Sequence, residues 1–208
     1  MEIKKIVTNP IAENCYVVSD DKGTGVIVDP GADCEKISMY LTQNGINPVA
    51  ILLTHGHFDH VGAVNKLKNM YNLKIYANIN ERGTLSDPAK IYVFGGGDGK
   101  GIDVDVWLED GDTVTAGTME FKVIHTPGHT IGSCCYLIEK HLLSGDTLFL
   151  ESIGRCDLEG GSFSAIENSI KTKLYTLDED VIVHPGHGGG TTIGDERRFN
   201  PFVTGDSE

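Results

Sequence analysis

The chain has 208 residues, 23% charged and 39% hydrophobic, which is enough for one packed core of the ordinary globular kind. Its formal net charge of −13 works against a nucleic-acid partner, because holding phosphate calls for basic surface. No apolar run approaches the ~20 residues that a membrane span needs, and Met1 to Val7 (MEIKKIV) is too short and too charged for a signal peptide, so a cytoplasmic protein without a membrane partner is expected.

In chain order, the apolar patterning predicts strands over 2–7, 14–19, 25–29 and 49–54, with a helix between Asp33 and Asn44 stopped by Gly45. A second helix, with apolar positions at Val61, Val64, Leu67 and Met70, precedes a strand over 74–77. The three lysines from Lys66 to Lys74, the densest basic stretch, read as a solvated face. Further strands follow over 104–108, 113–116, 118–124 and 133–138, punctuated by turns at Gly111-Asp112 and Gly117. Short buried strands at 141–144 and 181–184, a helix from Ser162 to Tyr175 and a last helix over 194–199 complete the pattern. Gly95 to Gly101 looks like a phosphate loop, but no Ser or Thr follows Lys100, so it reads as a plain loop.

The five cysteines are odd in number and lack paired zinc spacing. Cys15, Cys134 and Cys135 fall in strands, where a free thiol packs as a small hydrophobe, and adjacent Cys134 and Cys135 face opposite ways. Cys34 and Cys156 fall at a helix start or in a loop, and reduced thiols account for all five.

Four segments concentrate the chemistry: THGHFDH at Thr54 to His60, HTPGHT at His125 to Thr130, SGDTLF at Ser144 to Phe149, and HPGHG at His184 to Gly188. Each sets histidine or aspartate beside glycine, just past an apolar run. Imidazole and carboxylate suit zinc, iron or manganese. His55, His57, Asp59, His60, His129, Asp146 and His187 make seven candidate ligands, more than the four that one structural zinc takes, so the count favours a two-metal centre. His55 and His57 lie two apart on extended chain and point the same way, while Asp59 and His60 sit where a helix begins. His125 and His184 read as supporting or packing residues, and His141 as a surface residue.

These segments resemble the metallo-β-lactamase-fold hydrolases, and within them the glyoxalase II-like branch of hydroxyacyl-thioester hydrolases. The similarity runs from Asn14-Cys15-Tyr16 through Val28-Asp29-Pro30-Gly31 to Thr191-Thr192-Ile193-Gly194-Asp195-Glu196-Arg197. It implies an α/β (α+β) fold, a four-layer αββα sandwich, over residues 1–208 as one domain. It assigns His55, His57 and His129 to one divalent metal and Asp59, His60 and His187 to a second, with Asp146 bridging; zinc is foremost, with iron or manganese as alternatives. Asp59 and Asp146 then carry the catalytic carboxylates, and Asp29 lies where it can orient a ligand imidazole. The implied reaction is attack of metal-activated hydroxide on a small-molecule acyl-thiol.

Two departures bear on the substrate. With 21 residues after His187, the C-terminal helical domain of glutathione-thioester hydrolases is expected to be missing. The loop after Asp146 reads Gly154-Arg155-Cys156-Asp157 in place of Gly-Lys-x-Tyr, leaving Arg155 to bind a substrate carboxylate or to pair with Asp157. The rival within the fold is a persulfide dioxygenase with a single iron held by two histidines and one aspartate, against which the intact His187 argues. A non-catalytic binding protein predicts lost ligands, whereas all seven are present, and a nuclease conflicts with the acidic charge.

Overall fold

A computed structural model describes residues 1–91 and 99–204. Two six-stranded sheets stack face to face. The first takes β1 (Glu2–Thr8), β2 (Glu13–Ser19), β3 (Thr24–Val28), β4 (Asn47–Leu52), β5 (Lys74–Asn78) and β6 (Val106–Leu108) in that spatial order. The second comprises β7 (Thr113–Ala116), β8 (Met119–His125), β9 (Cys134–Ile138), β10 (His141–Gly145), β13 (Ile182–Pro185) and β14 (Thr191–Thr192), ordered β14-β13-β10-β9-β8-β7. A small hairpin, β11 (Leu148–Phe149) with β12 (Ser152–Ile153), hangs from the second sheet.

Side-chain alternation along the strands builds three apolar layers. Cys15, Val17, Ile27 and Ile51 face α1 (Cys34–Gln43) and α3 (Val64–Tyr71), meeting Ile37, Leu41, Val64 and Leu67. Their neighbours Tyr16, Val18, Val26, Val28 and Leu52 face inward and meet Phe121, Val123, Cys134 and Tyr136 of the second sheet. On the far side Cys135, Leu142 and Val183 pack against Ile166, Ile170 and Leu174. The order is helix, sheet, sheet, helix, the αββα sandwich that the resemblance implies. Strand β2 is buried at all seven positions because it is covered on both faces.

The helices depart from the sequence reading for local reasons. The expected helix after the first histidine segment is two: α2 (Phe58–Val61) and α3, separated because the Ala63 amide donates to Pro30 O at 3.0 Å. Met70, expected on its apolar face, is 51% exposed. The helix from Ser162 is α6 (Phe163–Ser169), capped by the Ser162 hydroxyl, and runs on as a π-helical turn over Ile170–Leu174 in which the Tyr175 amide reaches Ile170 O at 2.8 Å. α7 (Ile193–Phe199) starts with Thr192 Oγ1 accepting from the Asp195 amide at 3.1 Å.

Strand β6 is shorter than the expected 104–108. The two-residue strands β11, β12 and β14 leave no alternation to read, nor do the helical turns after β5: a 3₁₀ turn (Ile79–Glu81), α4 (Arg82–Leu85) and α5 (Pro88–Ile91). The part of the glycine-rich loop from Gly95 to Asp98 lies outside the described residues. Lys66 and Lys68 pair with Glu35 and Asp105, as befits a solvated face. All five cysteines are free, and Cys134 and Cys135 enter different core layers. Among the described residues no helix is long and apolar enough to cross a membrane.

The sheets are also joined by hydrogen bonds at one end. The Cys134 amide donates to Thr54 O at 2.9 Å, and the buried Tyr136 hydroxyl to Leu53 O at 2.8 Å. Replacing Tyr136 with Phe is expected to lower the unfolding free energy by about 1–2 kcal/mol while the fold persists, because Leu53 O is left in a dry layer with only the weak Cys134 thiol donor at 3.7 Å. Urea denaturation checks this, and an unchanged midpoint would contradict it.

Candidate metal centre

Strands β3, β4 and β5 run parallel, and β8, β10 and β13 share one direction in the second sheet. Their C-terminal ends open on the same crevice, the place where α/β sheets commonly bind ligands. Asp29 follows β3, His55 and His57 follow β4, His129 follows β8, Asp146 follows β10 and His187 follows β13. Asp59 and His60 lie in α2. All seven predicted ligands converge.

They form two clusters, across which Asp29, His55 and His60 make a further group of the same reach. Ligating atoms of His55, His57 and His129 lie within 4.8 Å of one another, and so do those of Asp59, His60 and His187. Asp146 reaches both: Oδ2 is 3.5 Å from His129 Nε2 and 3.7 Å from His187 Nε2, while Oδ1 is 3.4 Å from His60 Nε2. Gly145 must be glycine for this approach, since its φ is +49° and a Cβ would strike the Thr54 side chain.

Electrostatics sorts these groups. Burial, with neighbouring imidazoles, holds His55 well below the ordinary histidine range and His57 down to about 4. Burial lowers His129 as well, against the pull of Asp146. Burial opposes charge on His60, but the Asp146 and Asp29 carboxylates outweigh it and push its pKa well up. Asp146 sits at about 2, its burial overcome by the surrounding imidazoles. For Asp59 too, burial is outweighed, by the His187 hydrogen bond at 3.1 Å and by His60.

The donor set fits a divalent cation. Among the described residues His55 Nε2, His60 Nε2, Asp146 Oδ1 and Glu13 Oε1 are buried without a hydrogen-bond partner, the first three of them candidate ligand atoms, and that is a costly state for polar atoms. His129 Nε2 and His57 Nδ1 face each other at 2.9 Å, lone pair toward lone pair unless a proton or cation lies between.

Surrounding groups fix the imidazoles. Asp29, at φ +48°, accepts from the Thr54 amide at 2.7 Å and hydroxyl at 2.5 Å, and its Oδ2 lies 3.0 Å from His60 Nδ1. His129 Nδ1 meets Arg155 O at 2.8 Å. The Arg155 guanidinium takes Asp157 in a two-pronged pair at 2.8 and 2.9 Å, the second of its two expected roles. His125 bonds Ile131 O, apart from both clusters. His141, expected at the surface, is half-buried because its Nδ1 lies 3.0 Å from His184 Nε2.

Two buried carboxylates escaped the sequence reading. Glu13 accepts from Thr8 and lies 3.9 Å from His60 Nδ1, its pKa well raised by burial. Glu81 accepts from the Gly56 amide at 3.1 Å, the Gly132 amide at 3.1 Å and the Thr130 hydroxyl. A lone Glu at a strand or helix edge carries no motif, so no local signal could have found either.

Such clusters between two stacked sheets are those of a metal-binding protein of the αββα kind. The chain belongs to the metallo-beta-lactamase superfamily, whose family model matches residues 8–187. It is 37% identical to "Probable metallo-hydrolase YqgX" of Bacillus subtilis, covering 99% of each chain, and 35% identical to hydroxyacylglutathione hydrolase GloC of Haemophilus influenzae, covering all of both. Similar solved structures include BLEG-1 B3 metallo-beta-lactamase (41% identity, TM-score 0.91, 98% of this chain and 100% of that one). TTHA1623 in a di-iron-bound form is 37% identical (TM-score 0.86, 96% and 100%), and ETHE1 from Myxococcus xanthus 26% (TM-score 0.84, 100% and 86%).

Asp29→Asn turns an amide toward one of three donors and is expected to weaken divalent-metal binding ten- to a hundredfold in chelator competition; unchanged affinity would sink the orienting role. His184, pushed by burial down to about 4 beside His141 and Lys5, titrates near 6.5 when unfolded. The unfolded chain therefore binds the proton first, and stability falls as pH drops from 6.5 toward 4. Metal-free His184→Gln should lose less stability than wild type between about pH 7 and about pH 4.5 in urea titrations, whereas equal losses would refute the assignment.

Proposed function

We propose that this metallo-hydrolase cleaves a small hydroxyacyl thioester with two divalent cations, zinc foremost. In this reading one is held by His55, His57 and His129, the other by Asp59, His60 and His187, and Asp146 belongs to both. The observation that carries the reading is the placement of Asp146 within 3.7 Å of an imidazole nitrogen from each cluster. The cations, when bound, supply Lewis acidity that makes water a nucleophile near neutral pH and polarises a carbonyl.

The chain's own groups do the rest. Burial keeps His55, His57 and His129 neutral, the form that ligates. Asp59 and Asp146, held below the ordinary carboxylate range, stay ionised and serve as ligands rather than acids. That suits a leaving group needing little proton assistance, and a thiol, with pKa about 8.5, departs readily as thiolate. His187 is the open side of the site, its side chain 29% exposed. The Phe149 ring stands 6.3 Å from it, and exposed Leu150 lies beside Gly189, giving an apolar rim for an acyl-thiol chain. The likeness to GloC across the whole chain supports the same substrate class.

The second reading, a one-iron persulfide dioxygenase, draws on the likeness to ETHE1. The complete Asp59, His60 and His187 cluster favours the hydrolase, since a single-metal site does not need it. Metal analysis of the purified protein, with assays on S-lactoylglutathione, on glutathione persulfide under oxygen and on a β-lactam, separates them. Near two metals per chain with thioester cleavage is expected; one iron with oxygen uptake would replace this reading with the dioxygenase. Asp146→Ala should abolish turnover and reduce bound metal, while His141→Ala leaves both near wild type; full activity in the Asp146 variant would defeat the mechanism.

A further inference from the structure

We propose that Glu81 is a positioning residue that holds the His57 and His129 loops at the separation the first cluster needs, and so governs metal affinity at that cluster and not at the second. The inference rests on the two-cluster reading above.

Glu81 lies in the 3₁₀ turn after β5, 1% exposed, and belongs to neither cluster. Its two oxygens divide between loops from different sheets. Oε2 accepts from the Gly56 amide, the one residue between His55 and His57. Oε1 accepts from the Gly132 amide and from the hydroxyl of Thr130, which directly follows His129. Thr130 is braced in turn by Ser133, whose Oγ accepts from the Thr130 amide at 3.0 Å and lies 2.8 Å from the Thr130 hydroxyl. One planar group thus sets the distance between two short loops whose imidazoles face each other at 2.9 Å.

The chemistry of the residue supports this role. Burial raises the Glu81 pKa, opposed by its three donors, so a carboxylate here is expensive to keep. An apolar residue could pack the two loops together, but it could not accept from both at once. The carboxylate's several lone pairs do so from a single rigid plane. Glycine at 56 and 132 makes room for it: a Cβ on Gly56 would lie 2.7 Å from Oε2, and one on Gly132 2.7 Å from Cγ.

The second cluster has separate supports. His60 leans on Asp29, and the His187 loop is tied to β2 by the Asn14 amide to Gly186 O at 2.7 Å and the Asn14 side chain to Pro185 O at 2.9 Å. None of these bonds involves Glu81. Loss of the Glu81 carboxylate therefore falls first on the cluster of His57 and His129, whose two loops it joins.

The test compares Glu81→Gln with the wild type in zinc stoichiometry and chelator competition, with His57→Ala and His187→Ala marking loss at each cluster. The Glu81→Gln substitution keeps the volume but turns an amide against one of the donors. Expected is a tenfold or greater weakening of one zinc ion, the one lost in His57→Ala, with the other within threefold of wild type. Unchanged affinities, or equal weakening of both ions, would overturn the proposal. Thr130→Val, which removes one donor, should weaken the same ion more mildly and keeps the test open if Glu81→Gln fails to fold; unchanged affinity there counts against Glu81. Should the wild type bind a single ion, the two-cluster reading fails, and the Glu81 role survives if Glu81→Gln still weakens that ion tenfold.

Discussion

The whole centre depends on the two sheets being pinned together at the end where their loops converge. Apolar burial between sheets is non-directional, so it sets their spacing more firmly than it aligns particular loops. The bonds from Cys134 N and Tyr136 Oη to the end of β4 supply that alignment on the first cluster's side. On the other side Tyr16 Oη and Asn14 reach Pro185 O, and the Glu13–His187 bridge continues the contact.

Much of this was legible beforehand because ligand chemistry is written locally. His55, His57, Asp59 and His60 fall within six residues, and the glycines beside His129, Asp146 and His187 mark tight loops after strands. Strand positions were legible for the same reason: alternation and β-branched runs are short-range signals. The break between α2 and α3 was not, since a bond from Ala63 to Pro30 across the fold competes with helical periodicity. Glu13 and Glu81 were invisible because a buried carboxylate is defined by donors distant in sequence: Gly56 and Gly132 lie on different sheets' loops. His141 was misjudged likewise, its partner His184 being supplied by a neighbouring strand.

The two clusters differ in character although they share Asp146. The first is built from neutral imidazoles, with His55 and His129 nearly inaccessible. The second mixes carboxylate with imidazole and opens to solvent at His187. Fewer contacts restrain an open side chain, so the second cluster is the more adaptable of the two, the first the more rigid scaffold.

Each cluster draws on both halves of the chain: His55 and His57 with His129, Asp59 and His60 with His187. That mixed parentage has a consequence for biosynthesis. A ribosome delivers the first sheet well before the last strands, and the early half carries neither of these two sets whole. The first set is completed when the segment around His129 has emerged and docked, and the second only when that around His187 has done so. A cation at the second cluster would therefore join the two halves only once both are in place, closing a nearly finished sandwich instead of nucleating one.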